Sequence, residues 1–176
     1  MAMFEQFTDF LGGRNQRRRH GRNLPDDMDI LDKLKEEHDA VKALLGKLVE
    51  SDNAAERASL AKQIKAALAP HTKAEEKIVY DAILALKDKD AQVDGNEGYL
   101  EHRHADLALK KLLSIKPATE PEFAAAAKVL KELVEHHIDE EERNVWRDVR
   151  NAFDAAERIE MNRAFEAAKK RVRVAH

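Results

Sequence analysis

Two short strings repeat one spacing: His71-Thr-Lys-Ala-Glu75-Glu76 and His137-Ile-Asp-Glu-Glu141-Glu142 both read His-x-x-x-Glu-Glu. On a helix, residues four apart lie one above the other, so each pair aims an imidazole nitrogen and a carboxylate at one point. Two further histidines, His38 and His102, precede these pairs by 33 and 35 residues, and each follows a glutamate, Glu37 or Glu101. A chain with this order constrains its fold strongly: four helices must bring the four segments to one interior. A lone histidine on an apolar stripe is ordinarily a core residue satisfied by hydrogen bonds. Recurrence of the spacing in both halves sets these four apart.

Helical periodicity supplies the rods. A first helix is expected over about 28–49, with Ile30, Leu34, Val41, Leu45 and Leu48 at helical spacing. Ser51-Asp52-Asn53 is its turn and the next N-cap. A second helix over about 54–86 carries Pro70, which should kink or break it. Residues 88–98 read as a loop, because Asp94-Gly95-Asn96 is a strong turn signal. A third helix follows over about 99–115 with Leu107, Leu109, Leu112 and Leu113, and Pro117 stops it. Thr119-Glu-Pro121-Glu122 reads as an N-cap and acidic first turn for a fourth helix over about 121–152. That helix carries Phe123, Val129, Leu130, Leu133, Val134, Ile138, Val145 and Trp146.

The short connections between helices 1–2 and 3–4 favour antiparallel neighbours. The expected fold is therefore all-α, an up-down-up-down four-helix bundle over 28–153. An arm over 1–27 precedes it, with a short amphipathic helix at 3–11 and the basic run Arg14 to Arg22, read as a solvated linker. Residues 154–176 form an extra C-terminal helix and tail, packed across the bundle or in a subunit contact.

Stepping along each helix by three and four places the candidates on the inward stripe. His38 aligns with Leu34, Val41 and Leu45; His71 and Glu75 with Ile64, Leu68 and Ile78. His102 aligns with Ala105, Leu109 and Leu112; His137 and Glu141 with Leu130, Val134 and Val145. Buried carboxylates and imidazoles converging on one interior need a compensating charge, which a pair of metal ions supplies. Imidazole and carboxylate donors without sulfur suit iron, manganese or zinc, and the chain has no cysteine. Two glutamates shared between two ions, with two histidines on each, leave coordination positions open. His104 competes with His102 by repeat spacing, but the apolar stripe and the Glu-His context favour His102. Glu76, Glu140 and Glu142 are expected at the surface or orienting a histidine, and His136 either supporting a ligand from behind or between helices.

Composition excludes other classes. A formal net charge of −3 argues against a general nucleic-acid binder. Nothing approaches 18 consecutive apolar residues, and the N-terminus lacks the basic n-region of a signal peptide, so a cytoplasmic protein without membrane contact is expected.

Glu37-His38, His71 to Glu76 with Ile78-Val-Tyr80, Glu101-His102 and His136 to Glu142 together resemble the hemerythrin-like (HHE cation-binding) family. That resemblance covers about residues 28–153. It implies a four-helix bundle holding two non-haem iron ions, with an oxo, hydroxo or water bridge. By it, His38, His71, His102 and His137 would ligate iron and Glu75 and Glu141 would bridge. The implied function is to bind, sense or scavenge O2, peroxide or NO, with a homo-oligomer or protein partner through the terminal segments as a further expectation. The chain departs from the family in three places. Asp106 stands where oxygen carriers have a second histidine, Tyr80-Asp81 and Trp146-Arg147 replace aromatic-Pro, and Pro70 adjoins a ligand. Rival readings are a structural bundle with a degenerate or zinc site, and a ferritin-like iron oxidase. The latter needs two Glu-x-x-His motifs, and the chain has one, Glu101-His-Arg-His104.

Overall fold

Residues 27–173 are described by a computed structural model of the chain. The expected arm helix, the basic run, His20 and His176 lie outside the described residues. Within them every regular element is helical, and no helix is long and apolar enough to cross a membrane.

Helix α1 (Ile30–Glu50) starts at Asp29, whose side chain accepts from the Leu31 amide at 3.0 Å. Helix α2 (Ala54–Glu75) is capped by Asn53, as its position after Ser51-Asp52 implied. It runs on through Pro70 and does not break there. The departure comes six residues later, in a π-helical segment, π1 (Glu76–Tyr80), which leads into α3 (Asp81–Leu84).

Helix α4 (Lys89–Ser114) corrects the expected loop over 88–98. Asp88 caps it through bonds from the amides of Asp90 and Ala91, so the helix begins ten residues before Tyr99. Gly95 and Gly98 are buried inside this helix because they let it approach its neighbours closely. A Cβ on Gly95 would stand 3.3 Å from Leu84, and one on Gly98 only 2.6 Å from Tyr80 Cζ. The turn signal in the sequence was glycine serving as clearance.

Helix α5 (Pro121–Glu140) starts at Glu120, without a side-chain cap, and not at Thr119; Pro121 takes the first position. It continues as π2 (Glu141–Val145) and α6 (Trp146–Ala152). Leu107 and Val129, expected on apolar stripes, are instead exposed, at 57% and 51%. Helix α7 (Ala155–Lys169) opens on a capping box between Asp154 and Glu157.

Helix α1 packs on α2 and α5, and α4 packs on α5 and α2, so these rods close a ring around one interior. That interior has two apolar cores. The first gathers aliphatic side chains such as Leu45, Leu48, Ile64, Leu112 and Leu130 with Phe123. The second gathers Ile30, Leu34, Ile83 and Val149 with the aromatics Tyr80, Trp146 and Phe165. Helix α7 lies across α1 and α2 beside the second core. Arg158 donates to Asp29 at 2.7 Å and Asn162 to the Met28 carbonyl at 3.0 Å, which pins it there. At the other end the buried Arg57 donates to the carbonyls of Ser51 and Ala118, tying two loops together.

Candidate metal centre

Between the two cores lies a layer of ionisable side chains. Along α1, His38 separates Leu34 from Val41; along α2, His71 and Glu75 separate Ile64 from Ile78. His102, His137 and Glu141 occupy the same level on α4, α5 and π2. All six are buried, with Glu75 completely so. The side chains selected from the sequence are thus brought together. Neither His104 nor Asp106 joins them: both are exposed, and Asp106 pairs with Lys110 at 2.6 Å.

The imidazole edges all point the same way. His71 Nε2 lies 3.2 Å and His102 Nε2 lies 3.3 Å from Glu75 Oε2. His38 Nε2 lies 3.3 Å and His137 Nε2 lies 3.7 Å from Glu141 Oε2. Each glutamate therefore stands between two histidines from different helices. The donor atoms fall into two groups sharing Glu75: His38 with His71, and His102 with His137.

A second ring of carboxylates stands behind the histidines. Each Nδ1 faces a different one: His38 faces Glu142 at 3.1 Å, and His71 faces Glu37 at 3.1 Å. His102 faces Glu76 at 3.4 Å, and His137 faces Glu101 at 2.8 Å. An ionised carboxylate can only accept, so Nδ1 carries the proton and donates. That fixes the tautomer and turns the Nε2 lone pair inward. Sequence reasoning left Glu76, Glu140 and Glu142 either at the surface or in this role, which Glu76 and Glu142 take, and gave none to Glu37 or Glu101. The signal was present, since both immediately precede a histidine in a Glu-His dipeptide. Glu140 instead binds Arg143 and Asn144, and His136 sits exposed 3.6 Å from Glu101.

Two features fit this set to cations. Both carboxylate oxygens of Glu75, both of Glu141, and His38 Nε2 are buried without any hydrogen-bond partner among the described residues. Buried unpartnered carboxylates are costly, and a bound cation would offset that cost. Secondly, the Nε2 atoms of His102 and His137 face each other at 3.1 Å. Two donors about 2.1 Å from one ion and at right angles to each other would stand about 3 Å apart.

Electrostatics agree. Burial opposes a charge on His71, but Glu75 and Glu37 outweigh it and push its pKa up to about 10. His38 and His102 are raised despite burial by Glu141 and by Glu75 with Glu76, respectively. Glu75 resists its own burial and is held well below the carboxylate range by His71 and His102. Burial and the adjacent Glu75 raise Glu141. Burial likewise opposes ionisation of Glu37, yet His71 and Lys169 hold it at about 2. An interior that attracts protons this strongly attracts cations for the same reason, and a bound ion displaces the protons.

The π segments place aromatic walls. An i→i+5 hydrogen bond sets residues five apart above one another. The Asp81 amide bonds to the Glu76 carbonyl, and the Trp146 amide to the Glu141 carbonyl. Glu75 and Glu141 are each followed, five residues on, by an aromatic: Tyr80 and Trp146. The Trp146 ring stacks on His38 at 5.8 Å and 14°, and Tyr80 lies 5.2 Å from the His102 ring. Phe165 of α7 meets His71 edge-on at 5.9 Å, while Lys169 contacts Glu37. Burial, with Glu141 and Glu75 nearby, raises the Tyr80 phenol well above its ordinary value, so it keeps its proton.

Openings of different size adjoin the layer. A cavity of about 10 Å³ is lined by Tyr80, Gly98, His137 and Glu141 among others. Two surface clefts flank α2. One, of about 180 Å³, borders Pro70, His71 and Lys169; the other, of about 400 Å³, borders Thr72, His102 and Asp106.

Comparison with known proteins follows this geometry. The chain is 26% identical over 146 residues to a protein named DNA nickase from Nostoc sp. (strain PCC 7120). The shared stretch is 83% of this chain and 40% of that protein, so the chain spans about two fifths of its relative's length. No solved structure matches. Residues 29–147, which hold all six converging side chains and the four carboxylates behind them, match the hemerythrin HHE cation-binding domain, and the chain belongs to that family.

Proposed function

We propose that this chain is a di-iron protein that binds, senses or scavenges a small molecule such as O2, peroxide or NO. In this reading His38, His71, His102 and His137 ligate two ions and Glu75 and Glu141 bridge them, within an up-down-up-down four-helix bundle in the cytoplasm. Bound iron would supply open coordination positions and electrons. The chain supplies the rest: it orients each imidazole through Nδ1, excludes bulk water, and walls the interior with aromatic rings.

The observation that carries the reading is the pair of glutamates buried without hydrogen-bond partners between four inward-facing histidines. The opening of about 10 Å³ beside His137 and Glu141 has room for about one water-sized molecule, which supports a small ligand on that side. The ferritin-like alternative loses its single motif, because Glu101 faces His137 and His104 is exposed.

The Nostoc relative's name gives a second reading, cleavage of a DNA strand by the shared region. The layer is buried, and the net charge of −3 does not favour a polyanion. We propose no nucleic acid and no membrane among its partners. Incubation of supercoiled plasmid with the iron-loaded chain tests this; relaxed circles would restore the second reading.

The first test is metal content after anaerobic purification, with visible spectra before and after air. About two irons per chain and new near-ultraviolet bands on oxidation are expected. No iron, or zinc with an unchanged spectrum, would turn the assignment to a structural bundle.

A further inference from the structure

We propose that the Tyr80 hydroxyl is a built-in hydrogen-bond donor to a small anion or solvent molecule held on the His102–His137 side of the metal pair. The proposal rests on the metal-centre reading and adds a binding residue to it.

Tyr80 is completely buried, and its hydroxyl has no hydrogen-bond partner among the described residues. A buried hydroxyl is expensive to leave unpaired, and phenylalanine would fill the same ring-shaped space without that cost. The fold also makes specific room for it. A Cβ on Gly98 would lie 2.6 Å from Tyr80 Cζ and 2.8 Å from both Cε2 and the hydroxyl oxygen, so glycine in mid-helix makes room for the hydroxyl-bearing end of the ring. Glycine there weakens the helix, a cost accepted for the room it gives Tyr80.

The surroundings indicate what the hydroxyl meets. Tyr80 shares the water-sized cavity with His137 and Glu141, and its ring lies against His102. Trp146 holds the equivalent place after Glu141 but stacks flat on His38 and does not line that cavity. One side of the layer is therefore closed by an indole face, and the other has space and an O–H group. A phenol keeps its proton at neutral pH and can donate it to an anion bound there.

Azide is a suitable probe. The full chain would be loaded with iron, oxidised in air, and titrated with azide by visible absorption, as wild type, Tyr80→Phe and Gly98→Ala. The azide infrared stretch would be recorded in H2O and in D2O. The proposal expects two irons per chain in each protein and azide affinity about 10-fold weaker in Tyr80→Phe. It also expects a D2O shift of the azide band in wild type that Tyr80→Phe loses. Gly98→Ala, which pushes a methyl group into the hydroxyl's space, should weaken azide in the same direction. Azide affinity within twofold of wild type in both variants, with the D2O shift intact, would overturn the proposal and leave the metal centre standing. Loss of iron from Tyr80→Phe alone would mark Tyr80 as a prop for the ligands and overturn its role as donor. Failure of the wild type to take up iron would remove the metal-centre reading and this proposal together.

Discussion

One half of the interior packs Leu45, Leu48, Ile64, Leu112 and Leu130 between regular α-helices; the other packs Tyr80, Trp146 and Phe165 beside two π segments. Both halves are well buried, and both lie against the same layer of histidines and glutamates. The aliphatic half uses branched, directionless contacts and makes no aromatic contact to the histidines among the described residues. The aromatic half presents ring faces and edges to His38, His71 and His102. One core therefore supplies cohesion, and the other shapes the walls of the site. The π segments are the device that separates the two roles, because they turn Tyr80 and Trp146 onto the face of the glutamates they follow.

The sharpest way to break this division is at the layer itself. Glu75→Ala or Glu141→Ala should lose bound metal, whereas Glu142→Ala should keep it at saturating concentration, with affinity weakened about 10- to 100-fold. Metal content by elemental analysis separates the cases; equal loss in all three would erase the distinction between bridging and orienting carboxylates. Next in size is the aliphatic core. Leu45 is fully buried, so Leu45→Ala should cost about 2–5 kcal/mol in denaturant unfolding while leaving the metal stoichiometry unchanged.

Smaller effects belong to the outer supports. Lys169 reaches from α7, outside residues 29–147, to the same Glu37 that orients His71. Lys73 supports Glu76 from a more exposed position, 64% accessible against 19% for Lys169. Metal titration should find affinity lowered several-fold by Lys169→Ala and less by Lys73→Ala. The reverse order would argue that α7 only covers the bundle.

The smallest effect is a pH dependence at the edge of the aromatic half. Burial and the neighbouring Asp148 carboxyl push Asp94 up to about 6 from its ordinary 3.8. The folded state therefore holds this proton more tightly than the unfolded state. The contribution favours folding fully below pH 3.8 and is lost as pH rises through 6. Asp94→Asn should stabilise slightly at pH 7, and the gain should shrink as pH falls towards 3.8. Parallel melting curves at the two pH values check this; a gain that grows on acidification would contradict it.

The same division explains what could be read from the sequence. The aliphatic half follows the 3.6-residue period, so Leu45, Ile64, Leu112 and Leu130 were legible, as were the histidines lying on those stripes. The aromatic half was harder. A π segment shifts the period by one residue, so Tyr80 cannot be placed by steps of three and four from His71. Gly95 and Gly98 imitate a turn, although Asp88 caps the helix before them and their missing side chains admit Leu84 and Tyr80. Pro70 suggested a break that the packed helix absorbs. Glu37 and Glu101 were visible as Glu-His dipeptides, but whether they orient the adjacent histidine or another helix's is a tertiary fact. Each serves a histidine on a different helix, His71 and His137.

The most direct test of the central claim is anomalous diffraction at the iron edge from crystals of the iron-loaded protein. Two peaks are predicted, one beside His38 and His71 and one beside His102 and His137, with Glu75 and Glu141 between them. A single peak, or peaks at surface positions such as His104 with the buried layer empty, would contradict it.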